Sequence, residues 1–230
     1  MQRYSKYTIA TAIAILFHTV GLVGILFFNR DAMVALTPLN LLLSAALLWW
    51  TQTEKNKAFY LFVIACIIVG YLVEVIGVNT GYLFGHYRYE TALGIKLFNV
   101  PPLIGINWFM IIYCSGICLH HLLQKPIFRD ATSAGVISKR WQAYSIIFDG
   151  ASLAVLFDWI IEPMAVKLGY WTWLGEDANI PLYNYLCWLL VSMLLLWIFH
   201  RLQFVKQNKF AIHLLLIQAM FFLILRTLLK

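Results

Sequence analysis

Long apolar runs separated by short polar connections dominate the chain. Runs long enough to cross about 30 Å of hydrocarbon fall near 7 to 28, 58 to 78, 99 to 123, 143 to 166, 181 to 200 and 209 to 228. A seventh, near 32 to 50, contains Pro38 and ends in the interfacial pair Trp49-Trp50, so it reads as a tilted or kinked span. The pattern predicts an all-α, polytopic membrane helix bundle of about seven transmembrane helices, with residues 1–230 as a single transmembrane domain. The first run follows Arg3 and Lys6, as a signal peptide would. It is long, however, and ends in Phe27-Phe28-Asn29-Arg30 with no small-residue cleavage site, which favours a retained first span.

Composition agrees with this reading. Hydrophobic residues make up 62% of the chain and charged residues 12%, with a mean hydropathy of +0.79; soluble domains carry roughly a quarter charged residues. The formal charge of +7 does not point to nucleic acid, because Lys and Arg sit mostly in the short connections. With seven spans, eleven of them fall on the side of the N-terminus (Arg3, Lys6, Lys55, Lys57, Lys125, Arg129, Lys139, Arg140, Arg201, Lys206, Lys209) and six on the other. That bias predicts a multi-pass protein of a prokaryotic cytoplasmic membrane with its N-terminus in the cytoplasm. Cys66, Cys114, Cys118 and Cys187 all lie in apolar runs without metal-site spacing and read as free thiols.

Three carboxylates, Glu74, Asp158 and Glu162, lie inside spans, where a charge costs several kcal/mol unless it is used. Glu74 is roughly 24 Å along its helix from Ala58, and Asp158 and Glu162 are roughly 22 and 28 Å along theirs from Ala143. All three therefore reach the same end of the bundle. The long connections 79 to 98 and 167 to 180 open there, as do the helix starts carrying Asn107, Trp108, Tyr183 and Asn184. Asp158 and Glu162, four residues apart, share a helix face. Two carboxyls that close in a dry setting rarely both ionise, so one can give a proton and the other take one. A structural reading stays open, in which they pair with Arg88 or Lys167 or cap a helix disturbed at Pro163.

Gly77, Gly81 and Gly85 recur at four-residue spacing, which suits either close helix contact or an irregular segment entering the site. Tyr82, Phe84, Tyr87, Tyr89, Trp108, Trp171, Trp173 and Trp188 collect at the same end, as an interfacial belt or as a wall that would favour a carbocation. The six histidines are scattered, and neither a dinucleotide fingerprint nor a P-loop occurs. The chemistry expected is redox-neutral, carried by carboxylates, with no cofactor and no metal.

Two ordered blocks now matter together. The first holds Glu74, Gly77, Thr80, Gly81, Phe84, Gly85, Tyr87 and Tyr89, then Leu93-Gly94, Val100-Pro101 and Trp108. The second holds Asp158, Glu162-Pro163, Gly169, Trp171, Trp173, Pro181, Asn184 and Trp188. Over roughly residues 60 to 190 the chain resembles the membrane carotenoid-biosynthesis family, which includes carotenoid 1,2-hydratases acting on gamma-carotene-like and bacterioruberin-precursor substrates. It departs from the family pattern at Asn179-Ile180 before Pro181 and at Cys187 before Trp188, positions that bear on substrate preference rather than fold. The resemblance implies addition of water across the terminal C1=C2 bond of an acyclic carotenoid end group through a tertiary cation. Asp158 and Glu162 would supply the proton and Glu74 would handle water. Tyr82, Tyr87, Tyr89, Trp108, Trp171 and Trp173 would shape the pocket, with Asn79, Arg88 and Asn184 orienting water and carboxylates. Partners would be a lipophilic carotenoid, membrane lipid and, compatibly, other carotenoid-biosynthesis enzymes. A carotenoid end-group cyclase, a proton-coupled transporter and a non-catalytic assembly partner are the competing readings.

Overall fold

A computed structural model describes residues 5–125, 128, 138–174 and 180–229. Arg3, Arg129, Asn179 and Lys230, used in the sequence reading, lie outside the described residues. The elements run α1 Lys6–Phe27, α2 Arg30–Ala35, α3 Thr37–Thr51, α4 Lys57–Thr80, β1 Tyr87–Tyr89, α5 Leu103–Leu123, α6 Lys139–Lys167, β2 Trp171–Trp173, α7 Leu182–Arg201 and α8 Lys209–Leu228. Six of these helices, α1 and α4 to α8, are long and apolar enough to cross a membrane. The protein is thus an integral membrane helical bundle.

The weak seventh run is not one helix. It breaks at Leu36 into α2 and the 15-residue α3, with Pro38 at the start of α3, where a missing N–H leaves no helical bond unmade. At about 22 Å, α3 is shorter than the hydrocarbon layer, yet it still connects the two ends of the bundle. Near its start, Thr37 Oγ1 and Tyr170 OH share a hydrogen bond of 2.9 Å. Just past its end, Gln52 donates to the Val205 carbonyl at 2.8 Å.

Two ends can therefore be distinguished by their cross-links. One carries the connections 52–56 and 202–208, joined also by Asn56 donating to Gln203 O. Just inside it, Asn208 Nδ2 donates to Thr51 Oγ1 and Tyr113 OH, and Tyr113 OH donates to Gln52 Oε1, so these buried groups are cross-linked, while Asn208 Oδ1 has no partner among the described residues. The other end carries β1, β2, the start of α5 and the chain past α8, where Lys167 donates to Leu229 O.

Helix faces follow the 3.6-residue repeat, but with the usual polarity of a soluble helix reversed. On α4, Leu61, Ile64, Ile68, Leu72 and Ile76 form a half-exposed apolar stripe suited to lipid. The opposite stripe, Cys66, Gly70, Glu74 and Gly77, is buried, small and polar. On α6 the inward stripe is Ala151, Ala154, Asp158, Glu162 and Ala165, while Leu156 and Trp159 face out. The helix α5 is central, with thirteen of its 21 residues buried, and packs against α3, α4, α6, α7 and α8.

The all-α reading omits one feature. Strands β1 and β2 pair antiparallel, with Tyr87 opposite Trp173 and Tyr89 opposite Trp171. This ribbon is only three residues wide, and it sits over the end of the bundle that holds the carboxylates.

Candidate active site

The inward stripes of α4 and α6 bring Glu74, Asp158 and Glu162 to one cavity of about 30 Å³. All three are at least 96% buried, with exposures of 4%, 3% and 3%. A cavity of this size holds about one water. Its remaining walls come from β1, β2, α5, α7 and Phe84.

Protein donors take the place of solvent around the carboxylates. Glu74 Oε2 accepts from Tyr87 OH at 2.5 Å and Tyr89 OH at 2.8 Å, and Oε1 accepts from Trp108 Nε1 at 2.9 Å. A carboxylate offers about four acceptor sites, so one on Oε1 is left for a water. Glu162 Oε2 accepts from Trp171 Nε1 and Trp173 Nε1, both at 3.1 Å. Asp158 Oδ2 accepts from Asn184 Nδ2 at 3.0 Å.

These donors are neutral, which bears on the structural reading of the acidic pair. Arg88 pairs instead with Glu90 at 2.9 Å, and Lys167 donates to a backbone carbonyl. The helix α6 continues through Pro163 to Lys167, so Glu162 does not cap a helix end there.

Strand alternation explains which ribbon residues enter the site. Successive side chains of a strand point to opposite faces, so Tyr87 and Tyr89 face inward and Arg88 outward. In the antiparallel register Trp171 and Trp173 fall on the same face as the tyrosines, and Thr172 joins Arg88 outside, donating to Glu90 at 2.8 Å. Burial first, then the nearby Glu74 charge, holds the Tyr87 and Tyr89 hydroxyls well above the usual tyrosine range. Both phenols remain O–H donors. Outside, hydrogen bonds from Arg88 and Thr172 hold the Glu90 carboxyl below the ordinary glutamate range.

Glycines permit this close packing. A Cβ on Gly77 would lie 2.9 Å from Phe84 and 3.0 Å from Tyr87 OH, so only glycine lets β1 reach down to Glu74. A Cβ on Gly70 would overlap the Trp108 indole. Gly81, at φ +71°, ends α4 in the left-handed cap that glycine favours. Phe84, non-glycine yet at φ 66°, is held there by packing against Trp108, Trp188 and Tyr87.

Of the residues singled out from sequence, Glu74, Tyr87, Tyr89, Trp108, Asp158, Glu162, Trp171, Trp173 and Asn184 line the cavity. Asn79, Tyr82 and Arg88 do not. Asn79 donates to Val75 O and Phe98 O and accepts from Asn99, holding a tight turn in which Phe98 and Asn99 both have positive φ. Tyr82 is 78% exposed, and its carbonyl accepts from Tyr183 OH. Phe84, Asn107 and Trp188, placed at this end by the sequence without a role in the site, also line the cavity, and Ile104 is the lining residue that the sequence reading did not name. Trp188, one helical turn beyond Asn184, stacks on Trp108 with centroids 4.0 Å apart. Among the described residues no group of three His, Cys, Asp or Glu is placed to hold a metal ion.

Comparison with known proteins bears on this geometry. Residues 33–230 match the family described as "Carotenoid biosynthesis protein". The chain is also 25% identical over 132 residues to the bisanhydrobacterioruberin hydratase of Haloarcula japonica, an alignment covering 56% of this chain and 41% of that protein. No solved structure matches the chain.

Proposed function

Because the chain belongs to the carotenoid biosynthesis protein family, we propose that it is a carotenoid 1,2-hydratase, adding water to the terminal C1=C2 bond of an acyclic end group. The observation that carries this reading is the convergence of three buried carboxylates on a cavity sized for about one water and walled by aromatic rings. A relative named as a hydratase supports it.

The Asp158/Glu162 pair gives a proton to C2, forming the C2–H bond and leaving a tertiary cation at C1. The faces of Trp108, Trp171, Trp173 and the tyrosines lower the energy of that cation. Water held by Glu74 attacks C1, and its surplus proton passes to Glu74. The next water returns that proton to the pair, so the site is reset without a cofactor. Asp158 suits the acid role because it accepts a single hydrogen bond among the described residues, whereas Glu74, with three donors, is equipped to carry negative charge.

A non-native bacterium making lycopene or gamma-carotene, with this chain present in its membrane, is expected to accumulate a pigment heavier by one water, read by chromatography with mass spectrometry. A new isomer of unchanged mass would instead identify a cyclase, and an unchanged profile with both substrates would end the hydratase reading. In the same assay Tyr82→Ala and Arg88→Ala are expected to reduce conversion by less than about threefold, since exposed substitutions away from a site typically shift stability by within about 0.5 kcal/mol. A loss beyond tenfold in either would bring that residue back into the site.

A further inference from the structure

The reaction cavity has room for water but none for the tail of a long polyene. A second cavity of about 60 Å³ shares Ile104, Asn107 and Trp171 with it. That neck in turn shares Thr37, Leu41, Tyr170, Gln218 and Phe222 with a third cavity of about 440 Å³ between α1, α3 and α8. The third lies within the roughly 300 to 1,000 Å³ range of ligand pockets, and its lining is mostly apolar. Phe17, Val20 and Leu39, each about half exposed or more, border it on the lipid side.

We propose that the three cavities form one substrate channel: the reacting end of an acyclic polyene lies at the carboxylates, and its tail leaves past Leu41 into the cleft between α1 and α3. This rests on the carotenoid-substrate reading above, though not on hydration itself. The tail must exit somewhere, and the β1/β2 ribbon and the Trp108/Trp188 stack occupy two other walls of the reaction cavity. Entry from the bilayer would spare the polyene any passage through water. The break between α2 and α3 at Leu36 adjoins this cleft, since Leu36 and Thr37 both line it. Gly21 lines it too, and a Cβ there would meet Phe221 only at an ordinary 3.7 Å, so a side chain can start from this position toward the cleft without displacing the backbone.

The test purifies the protein from lycopene-producing membranes and measures, by absorbance and mass spectrometry, the polyene retained per protein, counting lycopene and its hydrated product together. The parent protein and Ile68→Trp, which alters only the lipid face of α4, are expected to retain polyene equally. Leu41→Trp, at the neck, and Gly21→Trp, in the cleft, are expected to retain at least tenfold less while eluting as the parent does on size exclusion. Parental retention in both variants would overturn the channel, as would a parent that carries phospholipid and neither polyene. Hydrated product is scored separately in the same cells. Lycopene retained and displaced as expected, but never hydrated, would break the hydratase reading and leave the channel standing.

Discussion

Replacing Asp158 with asparagine is expected to remove the hydrated pigment, lowering conversion by about 10² to 10⁴-fold, the range typical of a lost general acid. Asparagine matches the shape of aspartate and keeps a side-chain oxygen to accept from Asn184 Nδ2, now 3.0 Å from Asp158 Oδ2. The fold should therefore persist, and immunodetection in the membrane fraction should give the parental amount. What disappears is a proton available to C2. If conversion stays within about threefold of the parent, Asp158 leaves the mechanism, and Glu162→Gln becomes the decisive variant. Glu162 shares the helix face and the cavity, and its two tryptophan donors would still find an acceptor in glutamine.

Glu74→Gln is expected to damage both activity and stability, for a different reason. Three donors converge on this carboxylate, from Tyr87, Tyr89 and Trp108. A glutamine offers a single acceptor oxygen and adds two donors of its own. At least one buried donor is then orphaned, at a cost of about 1 to 3 kcal/mol, and the carboxylate that directs water is gone. Thermal unfolding of the purified protein should show a lowered Tm, and conversion should fall by about 10²-fold or more. Adding Tyr89→Phe removes one competing donor, so it should restore part of the Tm without restoring conversion. That split separates the two roles: recovery of conversion along with Tm would mean that Glu74 matters only as the anchor of the ribbon.

Much of the bundle can be read from local periodicity. Lipid-facing stripes such as Ile64, Ile68, Leu72 and Ile76 repeat at helical spacing, and Glu74 falls opposite them. Rise per residue then suffices to set Glu74, Asp158 and Glu162 at one end of the bundle. The signal weakens where segments are short. Tyr87-Arg88-Tyr89 and Trp171-Thr172-Trp173 do alternate, but three residues are too few to distinguish a strand from a polar-aromatic loop. Arg88 and Tyr82 looked like site residues because they neighbour site residues in sequence. The alternation of β1 turns Arg88 away, and the turn after Gly81 leaves Tyr82 exposed.

By itself, then, the sequence determined an integral membrane helical bundle and the common-end placement of three carboxylates, because both depend on repeats within single helices and on alternation across the membrane. The tertiary structure alone decided which donors reach them and what space lies beside them. Tyr87 meets Trp173 across a gap of many residues, and the cleft beside Leu41 needs α1, α3 and α8 together. Such meetings are set by long-range packing: the spacing of Gly77 and the presence of Pro38 mark a close approach and a kink, but no repeat within one helix names the Phe84 and Tyr87 side chains that Gly77 admits or the helices that the break at Leu36 lets meet.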